Sequence, residues 1–127
     1  MKTTEGIRKG AIQTVCGVID GEELGFCHAH EHLFIRKGYP ATIVPSLIID
    51  DFDLTRQEVQ AYRAAGGRSI VDAQPVGCGR MASCLARLSR ETKVHIVAAT
   101  GFHKTTYYPP DHWIHSADEG LLAELFM

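Results

Sequence analysis

The order of extended and helical segments is the feature that most constrains the fold of this chain. Strand-like runs at residues 24–33, 69–73 and 94–100 alternate with amphipathic helical segments. The run at 94–100 is almost continuously apolar, which is typical of a parallel strand buried on both faces. Strands that alternate with helices form right-handed βαβ units around a parallel sheet. We therefore predict an α/β protein with about three β/α units.

A short β-hairpin is predicted ahead of these units. Residues 11–15 alternate apolar and polar side chains, as a half-buried strand does. Glycines at positions 17 and 21 follow, and glycine allows the chain to turn. We therefore expect a hairpin-like turn before the first parallel strand.

Two helices are predicted between the parallel strands. The first covers residues 54–65, with Asp53 or Thr55 as its N-cap and Gly66 after its end. The second covers about residues 80–92. The segments at 36–45, 74–79 and 102–110 contain glycine or proline and are predicted loops, with a short turn at 111–115.

A third predicted helix indicates that the domain continues. Ser116 and Glu119 form a capping box, with serine at the N-cap and glutamate three residues later. The helix over 121–127 has no glycine, proline or basic last turn to close it. Because three β/α units cannot close a barrel, we expect residues 1–127 to be the first part of a larger domain.

Composition excludes several classes of function. The 127 residues are 45% hydrophobic and 22% charged, as in an ordinary soluble domain, and the formal net charge is -2. This balance offers no basic surface for nucleic acid or an anionic membrane. No apolar run approaches the roughly 20 residues of a membrane helix, and the start lacks the apolar stretch of a secretory signal. We expect a cytoplasmic protein whose four cysteines are reduced.

A histidine motif lies at the end of the first predicted parallel strand. His30 and His32 are two residues apart, so a strand projects them from the same side. Both imidazoles can then bind one divalent ion, while Glu31 faces the opposite way. Functional groups of parallel α/β folds gather at the carboxyl ends of the strands. The motif therefore predicts a metal site.

His28 has two interpretations. It lies on the same predicted face, one layer deeper, and could be a third ligand. Three successive histidines on one face span about 13 Å, too far for one ion. We therefore favour a histidine packed in the interior and hydrogen-bonded to a neighbour.

Four blocks of sequence resemble the phosphotriesterase family of the amidohydrolase superfamily. The blocks are IQTVCG at 12–17, ELGF leading into HEHL over 23–33, AAGGRSIVD at 64–72 and VHIVAATGF at 94–102. The resemblance implies the amino-terminal portion of a (β/α)8 barrel, whose two-metal site lies at the carboxyl ends of the strands. Members of this family hydrolyse lactones, phosphotriesters and related esters with a metal-bridging hydroxide as nucleophile.

The resemblance also assigns roles to single residues. His30 and His32 match the first-strand pair that binds the more buried metal, normally zinc. Phe102 and His103 match positions that line the substrate pocket. Lys104 either binds an anionic group of the substrate or is a solvated charge. Asp72 matches no metal ligand of the family and is interpreted as structural, holding a loop or a neighbouring strand.

Three aromatic residues of the same region allow two interpretations. Tyr107, Tyr108 and Trp113 form either an aromatic wall of the substrate pocket or a packed loop. Both interpretations stay open on the sequence alone.

The family pattern requires groups that this sequence does not contain. These are the bridging carboxylated lysine or glutamate, two later histidines and the aspartate that shuttles the proton, all expected beyond Met127. We also expect the hydrogen-bond partners that fix the imidazole tautomers to be missing.

Three hypotheses follow. The first is a zinc-dependent hydrolase of small lactone, ester or phosphoester substrates, to which this chain contributes the first metal-binding pair and which could form a homo-oligomer. The alternative is a non-catalytic fragment that binds metal weakly or associates with a partner through its open sheet. The third is a plain α/β domain with incidental histidines.

Overall fold

Two sheets organise residues 10–126, the part of the chain that the computed structural model describes. Strands β1 (Ala11–Thr14) and β2 (Gly17–Asp20) form an antiparallel hairpin. Strands β3 (Cys27–Glu31), β4 (Ser69–Asp72) and β5 (His95–Ala98) form a parallel sheet in that order. The predicted hairpin and the predicted parallel β/α units are both confirmed.

Helices connect the parallel strands. The α-helices are α1 (Tyr39–Ile43), α2 (Phe52–Ala64), α3 (Ala82–Thr92) and α4 (Glu119–Phe126). Short 3-10 turns lie at Gly21–Glu23, Thr105–Tyr107 and Trp113–Ser116. Over residues 10–126 no helix has both the length and the apolar character needed to cross a membrane.

The prediction of a loop over residues 36–45 was wrong, because this segment contains the helix α1. Pro40 lies in the first turn of α1, where the fixed backbone angle of proline suits a helix and its missing N–H is not needed. Gly38 precedes the helix in an extended conformation. The glycine and prolines that indicated a loop therefore flank and start a helix of five residues.

The predicted N-caps of two helices were wrong by a few residues. The carboxylate of Asp51, not of Asp53, accepts a hydrogen bond from the backbone N–H of Leu54 at 3.0 Å and caps α2. At the last helix, Asp118 accepts from the N–H of Leu121 at 2.9 Å. Ser116 ends the preceding 3-10 turn instead, because its hydroxyl donates to a carbonyl of that turn.

The main core lies between the parallel sheet and the helices α2 and α3. Its buried members are Leu33, Phe34, Val59, Ile70, Leu85, Leu88, Val94 and Ile96. Leu33 and Phe34 come directly after His32, so their burial fixes the chain immediately after the histidine motif. The hairpin joins the same body, since the N–H of Val15 donates to the carbonyl of Ile96 at 2.9 Å.

Replacing Leu88 by alanine tests this core. Leu88 is 0% exposed on α3, so Leu88→Ala should lower the free energy of unfolding by about 2–5 kcal/mol. Denaturant unfolding of the protein measures the change. The matched control is Leu54→Ala on α2, where the side chain is 57% exposed and the loss should stay within about 0.5 kcal/mol. Equal losses in the two variants would contradict the assignment of the core.

Candidate functional site

Two imidazoles meet at the carboxyl end of β3. The Nε2 atoms of His30 and His32 are 3.3 Å apart. Two nitrogens that bind one zinc ion tetrahedrally at about 2.0–2.1 Å are separated by about 3.3–3.4 Å, so the pair fits two ligands of such an ion. Within residues 10–126, no group of three or more His, Cys, Asp or Glu side chains is arranged to hold a metal. The described residues therefore offer a two-ligand half-site.

A β-bulge in β3 decides which residues face this half-site. His28 pairs with Ile70 and Glu31 with Asp72, so β3 has one residue more than β4 between the two pairs. An extra residue of this kind locally re-aims the side chains of a strand. His28 therefore shares its side of the sheet with Ile70, which packs in the core against the helices.

The interpretation of His28 as a packed interior histidine was wrong. Its side chain is 50% exposed, its Nε2 atom lies 3.5 Å from the carboxylate of Glu31, and its ring approaches that of Tyr62 edge-on. The cause is the bulge, which the alternation of residues in the sequence does not show. One carboxylate oxygen of Glu31 faces His28, and the other accepts a hydrogen bond from the backbone N–H of His32 at 2.8 Å.

A glutamine that was not predicted from the sequence lies against one of the two imidazoles. The side-chain oxygen of Gln74 lies 2.8 Å from Nδ1 of His32. Gln74 is 4% exposed and is the second residue after β4, at the same edge of the sheet. The expectation that no partner fixes the imidazoles was therefore wrong for His32. In the sequence, the only indication of a role for Gln74 is that a polar side chain comes just after a buried strand.

Asp72 has the structural role that was predicted. It is 0% exposed, and its two carboxylate oxygens accept hydrogen bonds from the N–H groups of Leu33 at 2.9 Å and Gln74 at 3.0 Å. It thereby connects the end of β3 to the loop after β4. The guanidinium of Arg80 extends this connection to β5, because it donates to the carbonyls of Gln74 and Ala99.

A cavity of about 260 Å³ lies beside the half-site. Its polar lining includes His32, Gln74 and His103. Its apolar lining comes mainly from Ile35, Pro40, Leu47 and Ile49. The segment between β3 and α2 forms this wall, and an antiparallel bridge between Ile35 and Ile49 closes it. The sequence analysis assigned no site residue to this segment, and no local motif distinguishes it.

The structure brings one of the three predicted substrate-binding residues to this cavity. His103 lines it, and Nδ1 of His103 accepts a hydrogen bond from the N–H of Lys104 at 2.7 Å. Burial, and then the charges of Lys104 and His32, lower the pKa of His103. Because Nδ1 of His103 accepts the hydrogen bond from Lys104, the neutral imidazole has its proton on Nε2. Phe102 and Lys104 are not among the residues that line the cavity, and their roles toward substrate stay predictions.

Tyr108 and Trp113 pack around Phe102, and the ring of Tyr107 lies 4.1 Å from that of the cavity residue His103. The ring of Phe102 contacts those of Tyr108, Trp113 and Phe126 at centroid distances of 5.4–6.1 Å. Tyr108 is 2% exposed, and its hydroxyl accepts from the N–H of His103 at 2.9 Å and donates to a carbonyl of the β4–α3 loop. Tyr108 thus holds the segment that carries His103.

The fold places two imidazoles, spaced as two ligands of one divalent ion, at the carboxyl end of a strand in parallel β/α units. The model of the phosphotriesterase family matches residues 10–126, so the chain belongs to the phosphotriesterase family. That family consists of divalent-metal enzymes.

Related proteins and solved structures support this assignment. A phospho-furanose lactonase of Mycoplasmopsis agalactiae is 31% identical over 76% of this chain and 29% of its own length. An N-acetyltaurine hydrolase of Tetraodon nigroviridis is 28% identical over 74% of this chain and 35% of its own. A lactonase structure from Listeria monocytogenes has 34% identity and a TM-score of 0.72, covering 79% of this chain and 32% of that one.

An organophosphorus hydrolase from Deinococcus radiodurans is similar too, with 33% identity and a TM-score of 0.60 over 73% of this chain and 29% of that one. The chain thus spans about a third of the length of the relatives it matches. These structural neighbours are (β/α)8 barrels, which confirms the predicted fold class as a portion of such a barrel.

Replacing Tyr108 by phenylalanine tests how His103 is held. Tyr108→Phe leaves a buried N–H and a carbonyl without a partner, so it should lower the free energy of unfolding by about 1–3 kcal/mol. Burial raises the pKa of Tyr108 to about 12, above the ordinary value of about 10. This contribution is therefore fully present below pH 10 and is lost as the pH rises through about 12.

Unfolding experiments between pH 7 and 12 compare Tyr108→Phe with Tyr107→Phe. The hydroxyl of Tyr107 has no hydrogen-bond partner within residues 10–126, so its removal should have little effect. If the free energies of unfolding of the wild type and Tyr108→Phe differ by the same amount across pH 10–12, this role of the hydroxyl is contradicted.

Proposed function

We propose that this chain supplies the first two ligands of the metal centre of a hydrolase that acts on lactones or related esters. The observation that carries the proposal is the 3.3 Å separation of the two Nε2 atoms at the end of a parallel strand. Zinc is the proposed metal and the cytoplasm the proposed location. Relatives named as lactonases favour a lactone over a phosphotriester as substrate.

The residues of this chain have separate tasks in the proposed reaction. A bound divalent ion acts as a Lewis acid that polarises an ester carbonyl and acidifies a water molecule. His30 and His32 would hold that ion, with Gln74 in contact with Nδ1 of His32. The neutral His103 presents an Nε2–H group that can donate a hydrogen bond to an oxygen of the substrate. The apolar side of the cavity excludes water from the ester.

The family resemblance implies further groups for the complete centre. A bridging carboxylate, two more histidines and an aspartate are not gathered around the half-site within residues 10–126. In our proposal these groups come from outside the 127 residues. The cavity described above is then one side of a larger substrate pocket.

Substitution of the two ligands tests this function. His30→Asn and His32→Asn should each lower lactone hydrolysis by at least about 10- to 100-fold, because loss of a metal ligand should cost no less than loss of a hydrogen-bond partner of such a ligand. His28→Asn is the matched control on the same strand, since His28 faces the helix layer and its loss should leave the rate nearly unchanged. Hydrolysis of a δ-lactone, an aryl ester and a phosphotriester should be measured before and after metal removal. Full activity in a chelated protein or in His32→Asn would refute the proposal.

A second possibility is that the 127-residue chain by itself binds metal weakly and has no activity. The two-ligand half-site favours it, because a catalytic zinc uses three protein ligands and a water molecule. Zinc stoichiometry separates the two cases. The chain alone should hold no more than one zinc, whereas tight binding of two would show that 127 residues suffice.

A further inference from the structure

We propose that Gln74 is a positioning residue that keeps His32 in one tautomer before any metal binds. In this tautomer the proton is on Nδ1, and the lone pair of Nε2 points toward His30. This inference rests on the proposed function, since it concerns the same metal pair. It concerns the metal-free protein, however, and is testable without measuring hydrolysis.

The side-chain amide of Gln74 can face His32 in one orientation only. Its NH2 group donates to the backbone carbonyl of Cys78. Rotating the amide by 180° would place its oxygen against that carbonyl, with two acceptors in contact and no hydrogen between them. The oxygen of Gln74 is therefore held toward Nδ1 of His32.

This orientation determines the tautomer of His32. An amide oxygen only accepts hydrogen bonds, so Nδ1 of His32 must donate at the observed distance of 2.8 Å. A neutral imidazole has one ring proton, and Nε2 is then bare. Metals bind the bare nitrogen, and metal-bound histidines usually donate their other N–H to such a partner.

The buried carboxylate of Asp72 accepts hydrogen bonds from the backbone next to His32 and from the backbone of Gln74. Asp72 accepts from the N–H of Leu33, the residue after His32, and also from the N–H of Gln74 itself. Arg80 donates to the carbonyl of Gln74 at 2.9 Å. Gln74 is 4% exposed, so water has little access with which to compete for its oxygen. The contact is therefore built into the fold rather than formed on metal binding.

Nuclear magnetic resonance of the metal-free wild-type protein tests the inference directly. Long-range ¹H–¹⁵N correlation spectra distinguish the two neutral tautomers of a histidine by the shifts of their ring nitrogens. At a pH where the imidazoles are neutral, His32 should show the Nδ1–H tautomer as its main form. A dominant Nε2–H form would overturn the proposal without the need for any variant.

Variants then measure what the contact contributes to metal binding. Gln74→Leu removes the acceptor at similar volume, so His32 should become a mixture of tautomers. Zn²⁺ affinity, measured by chelator competition, should fall by about 10- to 100-fold. Gln74→Glu keeps one oxygen for Nδ1 of His32 and should keep the Nδ1–H tautomer. Its second oxygen faces the carbonyl of Cys78 with no hydrogen between them, so the melting temperature should fall while the tautomer is retained. Unchanged tautomer and affinity in Gln74→Leu would overturn the proposal.

Ser89→Ala is the matched control for a general loss of stability. Ser89 is buried on α3, away from the half-site, and its hydroxyl donates to the carbonyl of Val94 at 2.7 Å. Its loss should lower the melting temperature and leave the tautomer of His32 unchanged. A tautomer shift in Ser89→Ala equal to that in Gln74→Leu would show a non-specific effect and reject a role for Gln74.

The outcome separates this inference from the proposed function. If His32 has the Nδ1–H tautomer and Gln74→Leu weakens zinc binding but the protein hydrolyses no ester, the positioning role stands and the proposed function fails. If the protein hydrolyses lactones with metal while His32 is mainly in the Nε2–H form, the proposed function stands and the positioning role of Gln74 fails.

Discussion

The buried carboxylate of Asp72 is the interaction on which the rest of the site depends. It is completely inaccessible, and a charge in that position is costly unless hydrogen bonds replace its hydration. The backbone N–H groups of Leu33, after β3, and Gln74, after β4, donate these hydrogen bonds. The carboxyl ends of the two strands are therefore locked in register where the histidines project.

The bulge in β3 divides the histidines of this strand between two sides of the sheet. Before the bulge, His28 shares its side with Ile70 and approaches Tyr62 of α2. After it, His30 and His32 bring their Nε2 atoms together. A regular strand would have placed all three on one side. The bulge thus limits the metal half-site to two imidazoles.

Features that local sequence patterns determine could be predicted from the sequence. Features that depend on contacts between distant residues could not. Apolar runs were enough to predict the parallel strands, and the spacing of His30 and His32 was enough to place both on one side. The bulge was not predictable, because it exists only relative to β4. Gln74 was missed for the same reason, since 42 positions separate it from His32. The capping errors are local: several acidic or hydroxyl side chains compete within a few residues, and the fold chooses among them.

The cavity contains two histidines whose Nδ1 atoms have opposite partners. At His32 the partner is an acceptor, the oxygen of Gln74, so the proton stays on Nδ1 and Nε2 is bare. At His103 the partner is a donor, the N–H of Lys104, so the proton of the neutral ring is on Nε2. One nitrogen is then suited to a metal and the other to a substrate oxygen. In the proposed function, the same type of side chain thus obtains two different chemical roles from a single neighbouring group at each position.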